Sequence, residues 1–174
     1  REKISWKQLN NNTLKLINFL KENKINERDR VAAYTVNQIE TVESFLATNS
    51  IGAIWSSCSP DFGTQGVIER FSQIKPKLLI ITDRYYYNGK EINVIERLPE
   101  ILKKIKSIKT VLIINYPGKK NLKHKKLKRV KIFYYNKLKN KKEIEFSFKK
   151  FDFDKELAIL YSSGTTGKPK CICH

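Results

Sequence analysis

Apolar residues recur along this chain in two periods, and the alternation between those periods predicts its elements. Ser5 with Gln8 three residues later is a capping-box signature, after which Trp6, Leu9, Thr13, Leu16, Ile17 and Leu20 fall on one face of a helix. A charged turn, Asn26 to Arg30, leads into a short strand over 31–36. Asn37 with Glu40 repeats the cap signature. Ile39, Val42, Phe45 and Leu46 then predict a second helix, running toward Ser50, with that stripe buried. A strand over 53–56 follows. Pro60 and Gly63 break the chain, and Val67, Ile68, Phe71 and Ile74 form a third helical stripe that ends before Pro76.

Leu78 to Thr82 and Thr110 to Asn115 are nearly unbroken apolar runs and predict two more strands. Between them Ile92, Ile95, Ile101, Leu102 and Ile105 predict helical turns interrupted near Pro99. Residues 116–129 read as a lysine-rich loop, 130–135 and 143–148 as further strand candidates, and Leu157 to Leu160 as a buried strand. Strands this uniformly apolar, separated by helices, need cover on both faces. The expected fold class is therefore α/β, a mostly parallel sheet with helices on both sides.

Composition adds little to that fold but limits the partners. In 174 residues, 40% apolar and 11% aromatic content suffices for a core. No apolar run approaches a membrane span, and no signal-peptide pattern is present. Three cysteines, an odd number, argue for a reducing, cytoplasmic setting. The formal charge of +18 is concentrated: 18 Lys/Arg stand against 2 acidic residues between Lys103 and Lys150. Nearly all are lysines interleaved with Asn and Ile, the makeup of a solvated surface. The rival class, a nucleic-acid-binding domain, has no DNA- or RNA-binding motif there to support it.

The chemistry lies at the end of the chain. After Tyr161, the nine residues Ser162 to Lys170 are only Ser, Thr, Gly, Lys and one Pro. Ser162, Ser163, Thr165 and Thr166 can each donate a hydrogen bond, and Gly164 and Gly167 let backbone N–H groups turn toward an anion. Lys168 and Lys170 add two cations. A Walker A loop is excluded, because the glycines are too close together and Pro169 stands where its hydroxyl and helix start belong. The string YSSGTTGKPK, Tyr161 through Lys170, resembles instead the phosphate loop of the acyl-adenylate-forming (AMP-binding) enzymes, [YF][TS]SG[TS]TGxPK, at every position. IGAIWSSCSPDFG from Ile51, RFSQIKPKLLI from Arg70 and Tyr87-Asn88-Gly89-Lys90-Glu91 are similar to the acetoacetate-activating branch of that family. The resemblance covers about residues 4–114 and 150–174. Departures are Arg28-Asp29 for a usual Gly-Asp, Val36 for a usual Pro, and Cys171 for a small residue.

That resemblance implies that residues 1–174 are the N-terminal part of a large AMP-binding (adenylation) domain, with 116–150 a lysine-rich segment within it. A chain without Met that begins at Arg1 and stops four residues past the motif reads as an internal piece of a longer protein. The implied reaction has two steps. Acetoacetate attacks the α-phosphorus of ATP to give acyl-AMP and pyrophosphate, and the thiol of CoA then displaces AMP; another short-chain acid, such as acetate, is the alternative substrate. In this scheme Ser162, Ser163, Gly164, Thr165, Thr166 and Gly167 donate to the ATP phosphates, with Lys168 and Lys170 as cationic partners. Mg²⁺ would bridge phosphate oxygens, its protein carboxylate lying outside these residues. Lys90 corresponds to a CoA phosphate contact. No catalytic residue falls within the chain, which is expected to be inactive alone. Trp55 is expected to pack in the core and Asp61 to order the Pro60 turn. Cys171, Cys173 and His174 fall short of a zinc ligand set, with only Cys58 and His124 to add, so no metal site is expected.

Overall fold

A computed structural model describes residues 3–119, 122, 127–138, 140–141, 144–162 and 167–174. Five short strands, β1 (Arg30–Tyr34), β2 (Ile54–Cys58), β3 (Leu78–Thr82), β6 (Thr110–Ile114) and β7 (Lys131–Tyr134), lie parallel in the order β2-β1-β3-β6-β7. Their continuous apolar runs follow from cover on both faces. Val31, Ala33, Leu78, Ile80, Leu112 and Ile114 point toward the layer of α1 (Trp6–Glu22), α2 (Ile39–Ser50) and α5 (Tyr135–Leu138). Ala32, Tyr34, Leu79, Ile81, Val111 and Ile113 point toward α3 (Thr64–Ile74) and α4 (Leu98–Lys104). This is the expected α/β architecture.

α1 starts as predicted: the Ser5 hydroxyl accepts the Gln8 N–H at 3.2 Å, and the Gln8 side chain accepts the Ser5 N–H at 3.1 Å. Trp6, expected on its buried stripe, is exposed. α2 departs further from expectation. Its cap is Gln38, not Asn37, and no side chain closes the cap; Thr41 instead donates to the Val36 carbonyl at 2.9 Å. Its buried side is Glu43, Ser44, Ala47 and Thr48, while Val42 and Leu46 face outward. Small residues let α2 approach α1 closely, and each polar group arrives satisfied. Ser44 and Thr48 return their hydroxyls to the carbonyls of Glu40 (2.6 Å) and Ser44 (2.7 Å). Glu43 accepts from Asn12 Nδ2 at 2.7 Å and from the Tyr135 hydroxyl. Buried polar groups with full partners cost little, so close packing decides which face turns inward.

Ile92 belongs not to a helix but to a two-stranded hairpin, β4 (Arg84–Tyr87) and β5 (Lys90–Asn93), turned by Asn88 and Gly89 at φ 48° and 73°. Asn-Gly is the pair that tolerates this turn. Its base is fixed by buried Asp83, which accepts from Arg84 Nη2 at 3.1 Å and from the Tyr116 N–H at 2.9 Å. After a 3₁₀ turn, Ile95–Arg97, Pro99 sits in the first turn of α4 rather than breaking it, where its missing N–H goes unneeded. Residues 144–148 form no strand, and Glu143 lies outside the described residues. Phe151 returns the late chain to the turn after α2, where Gly52 has φ +72° and an added Cβ would stand 2.9 Å from the Phe151 ring. Among the described residues no helix is long and apolar enough to cross a membrane.

Candidate phosphate site

The strand before the polar loop, β8 (Ile159–Ser162), runs beside β2: the Trp55 N–H donates to the Leu157 carbonyl at 3.1 Å, and Trp55 bridges Ala158 in parallel register. Parallel alignment delivers Ser162 to the carboxyl edge of the sheet, the edge where open α/β sheets hold ligands. β8 is not the buried strand expected, since Leu157 and Leu160 are about half exposed and only Ala158 is buried. It is instead one arm of an antiparallel hairpin with β9 (Lys170–Cys173), so the two ends of the loop meet where Ser162 pairs with Lys170.

Both arms are fastened to the body of the fold. The buried Ser56 hydroxyl donates to the Ile159 carbonyl at 2.8 Å and shares a 2.9 Å hydrogen bond with the Tyr161 hydroxyl. The Tyr161 ring packs on Phe71 of α3, 6.4 Å between centroids, with the Arg70 guanidinium 5.8 Å from it. Burial pushes the Tyr161 phenol well above its usual range, against the Ser56 hydrogen bond. On the return arm Pro169 is buried, and its carbonyl accepts from Gln73 Nε2 at 2.9 Å. Gly167, at φ +110°, holds a backbone that other residues rarely adopt, and Lys168 and Lys170 stand exposed beside it. Ser163, Gly164, Thr165 and Thr166 lie outside the described residues. Lys90 is exposed on β5, opposite Tyr87. Its hairpin leaves the carboxyl end of β3, and the strand order puts β8 about three strand spacings, ~14 Å, to the side. Lys90 therefore shares the loop's edge of the sheet but not its immediate site.

Sequence reasoning missed the crevice between them, where the strand order reverses between β1 and β3. Arg97 Nη1 donates to the Pro60 carbonyl at 2.7 Å and to the Tyr34 hydroxyl, which itself donates to Pro60 at 3.1 Å. Burial raises the Tyr34 phenol, opposed by Arg97. Burial, and then Asp61, raises the Tyr85 phenol. Asp61 accepts from Ser59 Oγ at 2.8 Å, the turn-ordering role expected of it. Beside this network a cavity of about 330 Å³ is lined by Thr35, Asn37, Ser57, Cys58, Ser59 and Asp61. Burial drives the Cys58 thiol up to about 12, so it stays a neutral wall rather than a nucleophile. Trp55 is buried, edge-on to Phe45 at 5.8 Å, in the core as expected. Among the described residues no three His, Cys, Asp or Glu side chains gather as a metal site.

The sequence model of the AMP-binding enzymes matches residues 1–174. Acetoacetyl-CoA synthetase of Xenopus tropicalis is 39% identical over 181 residues, covering 99% of this chain and 26% of the relative. That of Gallus gallus is 43% identical over 150 residues, covering 84% of this chain and 22% of the relative. The solved structure of acetoacetyl-CoA synthetase from Streptomyces lividans superposes with a TM-score of 0.88 at 31% identity, over 99% of this chain and 25% of that one. This chain thus spans about a quarter of the length of the relatives it matches. Matched along its whole length, with the family's phosphate-loop string between two strands at the carboxyl edge of its sheet, the chain belongs to the AMP-binding enzyme family.

Proposed function

We propose that the full protein carrying this chain is an AMP-forming acid–thiol ligase that activates acetoacetate with ATP and transfers it to CoA. The observation that carries this reading is the YSSGTTGKPK loop, its ends clamped together by a hairpin at the carboxyl edge, with exposed Lys168 and Lys170 on the return arm. When acetoacetate oxygen bonds to the α-phosphorus, the bond to the bridging oxygen breaks and negative charge collects on the departing pyrophosphate. Donors already in place stabilise that charge without reorganising. Ser162, Ser163, Gly164, Thr165, Thr166 and Gly167 are the donors, and Lys168 and Lys170 the cations. Lys90, on the same edge but to the side, serves a phosphate of CoA. Mg²⁺ would neutralise charge on the ATP phosphates, its protein carboxylate lying outside these residues. The enzyme works in the cytoplasm, where Cys58, Cys171 and Cys173 remain thiols.

Acetoacetate-dependent exchange of pyrophosphate into ATP by the full-length protein, with acetate as the competing acid, tests the assignment. Exchange that favours acetoacetate supports it, and absence of exchange with acetoacetate in a folded protein refutes it. Thr165→Val is expected to lower the exchange rate with little change in the acetoacetate KM; an effect confined to KM would remove the loop from the role given it. Residues 1–174 alone are expected to show no turnover.

A further inference from the structure

We propose that the amino edge of the sheet, opposite the phosphate loop, is a docking surface for an acidic peptide segment with one apolar anchor residue. Arg129 builds it. Its Nη1 donates to the carbonyls of Lys106 (2.8 Å) and Ile108 (3.1 Å), and its Nη2 to those of Leu102 (2.6 Å) and Ile105 (3.5 Å). The guanidinium thereby satisfies carbonyls at and beyond the end of α4 and pins the chain before β7 against that helix. Between the two remains an open notch of about 220 Å³, floored by Pro99, Leu102 and Leu127 and rimmed by Lys103, Lys106 and Lys128. The three lysines are exposed, and none pairs with a carboxylate among the described residues. Glu100 is the one carboxylate on α4, at its opposite end.

Charge and shape together select the occupant. Nucleic acid would want aromatic platforms or free guanidinium forks. Among the described residues that line the notch none is aromatic, and its one arginine is committed to four carbonyls. A membrane would want protruding apolar side chains, whereas the apolar surface here is recessed. A recess the size of one or two side chains, ringed by point charges on flexible stems, fits an aliphatic residue flanked by carboxylates. Because the notch lies at the amino ends of β6 and β7, an occupant leaves the loop edge uncovered.

Fluorescence anisotropy of the full-length protein with a labelled Asp-Asp-Glu-Leu-Glu-Asp-Asp peptide tests this, alongside the same peptide with Ser at its centre. Losing the buried Leu is expected to weaken binding about tenfold. The protein variant Lys103→Glu/Lys128→Glu is expected to weaken binding of the Leu peptide by a further order of magnitude or more, leaving acetoacetate-dependent exchange unchanged. Equal affinity for the two peptides, no binding, or no effect of the charge reversals would overturn the proposal. So would tighter binding to duplex DNA, or to vesicles of equal parts phosphatidylcholine and phosphatidylserine, than to the Leu peptide.

Discussion

Ser56→Ala would remove a hydroxyl that ties the loop-bearing strand to the body of the sheet. Ser56 is fully buried on β2, and its Oγ is 2.8 Å from the Ile159 carbonyl and 2.9 Å from the Tyr161 hydroxyl. Alanine leaves both groups without that partner, at a cost of about 1–3 kcal/mol for a desolvated orphan. Tyr161→Phe removes one side of one bond, about 0.5–1.5 kcal/mol. Because the two variants break a shared bond, the double variant should fall short of their sum by about 0.5–1.5 kcal/mol. Urea unfolding reads this cycle, with the fluorescence of buried Trp55, next to Ser56 on the same strand, as the probe. Tyr161 is also the residue before the loop, so both single variants should slow pyrophosphate exchange while leaving the acetoacetate KM in place. Additivity within about 0.3 kcal/mol would refute the coupling, and an unchanged exchange rate would show that the tie does not position the loop.

Three further outcomes are expected. Gly52→Ala forces a side chain onto a φ of +72° and to 2.9 Å from the Phe151 ring and from Glu27; a loss of about 1–2 kcal/mol from the backbone alone should appear in the unfolding midpoint, and parental stability would contradict it. The Cys58 thiol titrates at about 12 in the fold against an ordinary 9, so the unfolded chain gives up its proton first. Its contribution is therefore complete below pH 9 and lost as pH rises toward 12. Cys58→Ala should flatten the fall of stability across that window, and an unaltered slope in urea melts at several alkaline pH values would disprove it. Tyr135→Phe leaves buried Glu43 short of a donor between α2 and α5, worth about 1–3 kcal/mol; an unshifted Tm would mean that the pair contributes nothing.

β1, β2, β3, β6 and α3 were legible in the sequence because their apolar residues answer to a single demand, burial against the sheet's covering layers. α2 was legible as a helix but not in orientation. Val42 and Leu46 look like a core stripe, yet small Ser44 and Thr48 pack closer and satisfy themselves on their own helix. The β4–β5 hairpin hid because Ile92 and Ile95 are spaced like helical neighbours, although Asn88-Gly89 carried the turn signal. The YSSGTTGKPK string was legible as a polar turn after a strand, and the structure pairs its two ends, Ser162 and Lys170, in a hairpin. The crevice could not, because Tyr34, Pro60 and Arg97 come from separate elements that only the strand order brings together.

The outer edge of β2 is closed by residues made long after it: Ser56 meets Ile159 across 103 positions. At a synthesis rate of about 5–20 residues per second, that edge waits roughly 5–20 seconds on the ribosome before its neighbour emerges. Unpaired strand edges recruit foreign strands, so this edge stays open to self-association until β8 pairs with it. The segment that ends this interval is the one that carries the Ser162–Lys170 loop, so covering that edge and bringing the ends of the loop to the sheet are a single event.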